Sequence, residues 1–293
     1  MNFWDSPPMS LDGKTIKIIA IITMFIDHMT CCFMEVARTA DGISLMYAIP
    51  YGKEIDTVGR AIGRCAFPVF CFMLVEGYIH TRSRAGYLMR LLIFAAVSQV
   101  PFNLIFFPSA EAPHSDTIFT LSIGFVMIWG IDLLARILLP ESYHPVPVDL
   151  LRGGADRVRP AADKLRKRLG IPLPRANANG KNFLPLILFL AGAALLINGG
   201  GFIAKHFGCD YSYGGIGTIA LLYIFYKVRP LSLLIAWIWL TAYNNNELLA
   251  ITGFWLIWCY NGRRGRQNKY FFYVFYPAHL MLLYLIRRQI FGV

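Results

Sequence analysis

Asp27 and His28 stand side by side in the middle of an apolar run, 16–34, that reads IKIIAIITMFIDHMTCCFM. An ionisable side chain at the centre of a membrane helix costs about 2.5–3.5 kcal/mol on insertion scales, so such groups usually face a bundle interior or a watery cavity and have a function. Histidine titrates near neutrality and a carboxylate can fix its tautomer, which makes the pair a candidate buried proton acceptor. Counting about 1.5 Å of rise per residue places three further polar groups near the same depth. Arg64 comes from the outer end of the second apolar run, Gln99 from the third, and His279 from the last, after Tyr276-Pro277. Depth fixes height alone, so which faces meet stays open. Each group also has a structural reading. Arg60 and Arg64 could snorkel to outer headgroups, and His279 could bond a carbonyl freed by Pro277. Glu76, near the inner end of the second run, could pair with an arginine or act in catalysis. Asp132 and Arg136, spaced i and i+4, read as an ion pair.

A second constellation is basic. Arg82, Arg84, Tyr87 and Arg90 follow the second run, and the turn Gly262-Arg263-Arg264-Gly265-Arg266-Gln267-Asn268-Lys269 precedes the last. Arginine forks bind phosphate through two parallel hydrogen bonds, and glycine lets the backbone approach an anion. These residues are candidates for holding a phosphorylated donor whose reactive end reaches toward His28. Membrane topology alone would also put positive charge there.

The elements that must position these groups follow from composition. Of 293 residues 56% are hydrophobic and 15% charged, and the mean hydropathy is +0.51. A soluble domain carries about 25% charged residues. A span needs about 20 mostly apolar residues. The sequence therefore predicts an all-α, polytopic membrane helical bundle of about nine spans: 16–34, 61–79, 87–107, 117–139, 183–204, 213–226, 231–243, 248–260 and 270–286. The seventh and eighth are short and could be broken helices lining a cavity. Pro68 should kink the second. With the N-terminus cytoplasmic, 21 of the 28 lysines and arginines fall on inner segments, which sets the orientation by the positive-inside rule. The net charge of +11 thus belongs to segments flanking spans, pointing to anionic lipid headgroups at the inner leaflet rather than to nucleic acid.

The chain reads as one membrane domain, 1–293, interrupted by a basic cytoplasmic loop at 140–182. Part of that loop could form an amphipathic helix on the inner leaflet, or the whole could be a linker. The first run lacks a basic n-region and reads as a retained helix, not a cleaved signal. The six cysteines form no C-x-x-C pair and read as small buried thiols, with no metal site expected.

The segments IAIITMFIDHMT, GRCAFPVFCFMLVEGYIHTRSRAGYLMRLLIFAAVSQVPFN, YSYGGIGTIALLYIFY and GRRGRQNKYFFYVFYPAHLMLLYLIR resemble the TraX family, named for the conjugative pilin acetylase. The resemblance covers most of the chain outside 140–182 and the N-terminal tip. It implies a multi-pass acyltransferase of the bacterial cytoplasmic membrane, with acetyl-coenzyme A as donor and, for the named member, the N-terminal amine of mature pilin as acceptor. By position its motifs fall on Asp27, His28, Arg64, Glu76, Tyr276 and His279. The implied mechanism has His28, oriented by Asp27, taking the acceptor's proton while Arg64 or Gln99 supports the oxyanion. The acceptor could be a protein amine, a glycan hydroxyl or a lipid headgroup. The competing expectation is a proton-coupled secondary transporter with Asp27-His28 as relay, although the paired broken helices common in transporters are not evident.

Overall fold

The computed structural model describes residues 9–107, 114–140, 143–146, 164, 168, 183–266 and 269–292. All regular elements among them are helical. In chain order they are α1 (Gly13–Thr30) running into a π-helical turn (Cys31–Val36), then α2 (Leu45–Ala48), α3 (Gly52–Gly63), α4 (Ala66–His80), α5 (Arg84–Phe106) and α6 (Thr117–Leu138). After the basic insertion come α7 (Leu184–His206), α8 (Ser212–Ile224), α9 (Arg229–Tyr243), a 3₁₀ turn (Asn245–Ala250), α10 (Ile251–Trp258) and α11 (Lys269–Phe291).

Five stretches among the described residues are long and apolar enough to cross a membrane: Gly13–Val36, Gly52–His80, Arg84–Phe106, Thr117–Leu138 and Leu184–His206. Each overlaps one of the first five expected spans, the second beginning nine residues earlier than the expected 61–79. The sixth and seventh expected spans are the shorter α8 and α9, and the eighth is broken between the 3₁₀ turn and α10. Most of the insertion 140–182 lies outside the described residues. The break in the second span falls at Arg64–Cys65, one turn ahead of Pro68. Proline has no N–H and its ring crowds the carbonyl four residues back, so the helix yields at Arg64.

The chain divides into two compact units. The first holds residues 1–72, 93–116 and 244–293, and the second 73–92 and 117–243. In the first, α3 packs closely on α1 because Gly59 and Gly63, four residues apart, bring bare backbone to the contact. A methyl on Gly59 would overlap Thr30, and one on Gly63 would overlap Asp27. At the end of α5 the carbonyls of Leu104 and Ile105, which have no intrahelical partner, each accept a 2.7 Å bond from the buried guanidinium of Arg287 on α11. In the second unit Phe125, Ile128, Ile216, Ile219 and Leu222 are buried, as is Asp132.

Candidate functional site

The site in the first unit begins with two rings. His28 Nδ1 lies 2.8 Å from His279 Nε2, and the rings are nearly parallel, 7° apart. The other nitrogen of His279, Nδ1, lies 2.8 Å from the carbonyl oxygen of Phe275 one turn back on α11. A carbonyl can only accept, so Nδ1 of His279 carries the proton. In the neutral ring Nε2 is then the acceptor, and His28 donates through its own Nδ1. This chain of bonds leaves the basic lone pair of His28 on Nε2. His279 is 3% exposed and His28 half-buried. Phe106 meets the His28 ring edge-on at 5.1 Å, and the Tyr276 ring borders both histidines, at 6.0 and 5.6 Å. These rings keep water from the pair on several sides.

Asp27 does not orient His28. Neighbours on a helix point about 100° apart, and Asp27 faces α3, where its Oδ2 accepts a 2.7 Å bond from Arg60. The Nε of Arg60 lies 3.1 Å from Glu35 Oε1, which the π turn carries to the same side. Arg60 therefore links two carboxylates and is not spread out toward headgroups. Arg64 is turned to Glu247, 2.5 Å away and 1% exposed, in the 3₁₀ turn. Gln99 is also committed elsewhere. Its amide nitrogen donates to Asn103 Oδ1 at 3.0 Å and to the carbonyl of His114, and its oxygen accepts the N–H of Asp116. It fastens the two ends of the 99–116 connection. Of the four groups placed at one depth by counting, the structure brings His28 and His279 together through a hydrogen bond. Arg64 is bonded to Glu247 and Gln99 to Asn103, His114 and Asp116, neither to a histidine of the pair, so the oxyanion role expected of them is corrected.

Glu76 belongs to the second unit, where it is buried, accepts a 2.5 Å bond from Tyr226 and lies 3.6 Å from His80 Nδ1. Arg84 is also turned inward. It and Arg136 flank Asp132 at 3.1 Å, and the hydroxyls of Tyr78 and Tyr223 each donate to the same carboxylate at 2.9 Å. The Asp132–Arg136 pair is present as its spacing suggests, within a larger buried network. Arg84 is thus no exposed phosphate ligand. Tyr87 stacks on Phe125 at 5.0 Å and the Arg90 guanidinium lies 5.7 Å from the Tyr87 ring, while Arg82 is exposed.

The turn ahead of α11 is well built. Leu11 N–H donates to the Cys259 carbonyl, Asn261 N–H to the Leu11 carbonyl, and Gly13 N–H to the Arg263 carbonyl, at 2.9, 2.9 and 2.8 Å. Gly262 and Gly265 take the left-handed conformation that lets the chain turn here. Arg263, Arg264 and Arg266 are left exposed at the start of α1, while the side chain of Lys269 lies outside the described residues. Counting missed three participants: Gly63, Glu247 and the capping Arg287. The Gly-x-x-x-Gly at 59–63 was a readable signal for the first. Nothing in the local sequence marks the other two. All six cysteines are buried and outside any disulfide, and no group of metal-binding side chains occurs among the described residues.

Fold and site together define a multi-helix membrane protein with a hydrogen-bonded histidine pair, one ring buried and the other half-buried. The family model described as TraX protein matches residues 12–138 and 188–287, so the chain belongs to the TraX family. It is 28% identical over 289 residues to the probable fimbrial assembly protein FimC, serogroup H1, of Dichelobacter nodosus, with 92% of each chain covered. No solved structure matches it.

Proposed function

We propose that the protein is a nine-span acyltransferase of the bacterial cytoplasmic membrane, its N-terminus inside. It moves an acetyl group from acetyl-coenzyme A to the N-terminal amine of a pilus or fimbrial subunit. Membership of the TraX family and the fimbrial assembly name of the relative support this reading. The observation that carries it is the histidine pair, which presents Nε2 of His28 as a base in a largely apolar surround.

As the acceptor nitrogen bonds to the thioester carbonyl carbon, His28 Nε2 takes its proton. The C–S bond then breaks, and the departing thiolate recovers that proton from His28. The products are an acetylated amine and free coenzyme A. The charge that builds on His28 is relieved through Nδ1–H to His279 and held by the Phe275 carbonyl beyond it. Tyr276, bordering both rings, is the group of the family motif we assign to the carbonyl oxygen. The exposed arginines of 263–266 serve the donor's phosphates.

Incubating the purified protein with acetyl-labelled acetyl-coenzyme A and membranes of its source should label a subunit amine. His28→Ala should lower that transfer by about 10²–10⁴-fold while coenzyme A still binds. Near wild-type turnover in His28→Ala would remove the base assignment, and absence of both labelling and coenzyme A binding would remove the enzyme.

A further inference from the structure

Between α1 and α11 runs a groove of about 400 Å³ lined by Ile18, Ile21, Ile22, Phe25, Phe271 and Phe275, with no polar surface in its wall. The α1 residues recur at i, i+3, i+4 and i+7, a single helical stripe, and the two phenylalanines of α11 are one turn apart. Its upper end abuts the site: Phe25 lies 6.0 Å and Phe275 4.9 Å from the His279 ring. Its lower end, at Ile18 and Phe271, lies toward the start of α1, where Gly13 N–H donates to the Arg263 carbonyl. There a methyl on Gly265 would come within 2.6 Å of Asp12 Oδ2 and 2.9 Å of Lys14 Cβ, so Lys14 stands beside this turn together with the Asp12 carboxylate, whose other oxygen is bonded to Thr15 and which the three cations of the turn and Lys14 outweigh. One amphiphile-shaped path thus joins a cationic mouth, an apolar wall and a base.

The geometry points to this groove as the seat of the acyl-coenzyme A arm, with the donor's phosphates on Lys14, Arg263 and Arg264 and its thioester beside His28. This rests on the acyltransferase reading and adds the donor's route to it. Lys14 and His28 are fourteen residues apart on one helix, roughly 21 Å. The arm has about fourteen bonds from phosphate to thioester carbon and, at about 3.5 Å per three bonds, spans roughly 16 Å when extended. The reach of lysine and arginine side chains makes up the difference. The wall accepts the arm's methylenes and geminal methyls, and its two amides turn to the groove's open side. Charge complementarity at the mouth selects a phosphorylated carrier over an uncharged chain.

The test uses the full-length protein in nanodiscs of zwitterionic lipid. Ile22, which is 54% exposed, tolerates a larger side chain, so Ile22→Trp should fold normally yet weaken coenzyme A binding by about tenfold or more. Lys14→Glu should do the same. A cysteine placed at Phe25 should be captured by the pyridyl disulfide of coenzyme A. One at Val97, exposed on α5, should not, and the six buried native thiols give little background. Coenzyme A binding that is unchanged in Ile22→Trp and Lys14→Glu, with no capture at residue 25, would overturn the groove assignment and leave the acyltransferase reading in place. Capture at residue 25 by a photoreactive phospholipid that coenzyme A does not compete away would make the groove a lipid seat and equally overturn it. Failure of the wild-type protein to bind coenzyme A would end both.

Discussion

His279 is bonded at both ring nitrogens, to a carbonyl on one side and to His28 on the other, so in the proposed reaction its part is to hold a tautomer and share a charge while His28 meets the substrate. Removing it should not remove the base. His279→Ala leaves His28 free to protonate on either nitrogen, and the outer-shell partners that orient metal-bound histidines in the same way are worth about 10–100-fold. We expect turnover to fall by that amount with KM for acetyl-coenzyme A within about twofold of wild type. His279→Gln, whose amide oxygen can accept from His28 Nδ1, should recover part of the loss. A merely structural role would lower the amount of folded protein and give no such recovery. Equal kcat in His279→Ala and the wild-type protein would show that His28 finds its tautomer unaided. His28 itself was legible in the sequence as an ionisable group in a membrane helix. Its partner was legible only as a histidine at the right height, and Asp27, adjacent in the chain, was the misleading choice because adjacent helical residues do not face each other.

At the scale of elements, close approach of α3 to α1 depends on two glycines and brings Arg60 between Asp27 and Glu35. Gly63→Ala places a methyl against Asp27, and overpacking of this kind costs about 1–3 kcal/mol. The expected result is a lowered Tm in detergent together with reduced transfer, whereas an unchanged Tm would mean that α3 shifts freely. Arg64 and Glu247 tie the break in the second span to the 3₁₀ turn. Breaking a buried ion pair from one side costs about 3–5 kcal/mol because the other charge stays buried. Glu247→Gln should therefore be more damaging than the double variant Glu247→Gln, Arg64→Gln, as measured by unfolding in a double-mutant cycle. At the start of α1, Asp12 caps the helix through the Thr15 amide and hydroxyl, which hold its carboxyl below the ordinary carboxylate value. A lowered folded-state value means that the cap contributes fully above about pH 4 and is lost as pH falls through that lowered value. The long apolar helices were readable because hydropathy carries them, whereas α2 and the 52–60 part of α3 fall outside every expected span. Contacts such as Arg287 on the α5 carbonyls were not, since they join residues 182 and 183 positions apart with no local periodicity.

The molecule as a whole carries a lopsided charge: 21 of its 28 lysines and arginines fall on the segments assigned to the cytoplasmic side. Moving even one such cluster across the bilayer is opposed by the positive-inside bias, and the assignment decides whether the basic turn at 263–266 can meet a cytosolic donor at all. Two exposed positions distinguish the orientations. Asp41 lies in the connection after the π turn, on the side assigned as outer, and Ser83 lies in the turn between α4 and α5, on the side assigned as inner. Because the native thiols are buried, single cysteines at these sites can be read with a membrane-impermeant maleimide. Asp41→Cys should label in intact cells, and Ser83→Cys only after permeabilisation. The opposite pattern would put the arginine turn and the start of α1 outside, away from acyl-coenzyme A, and the donor route along α1 would have no source. With the expected pattern, phosphates enter from the cytosol at the foot of α1, and the acyl group arrives about fourteen residues higher, where His28 can pass it to an acceptor held at the membrane.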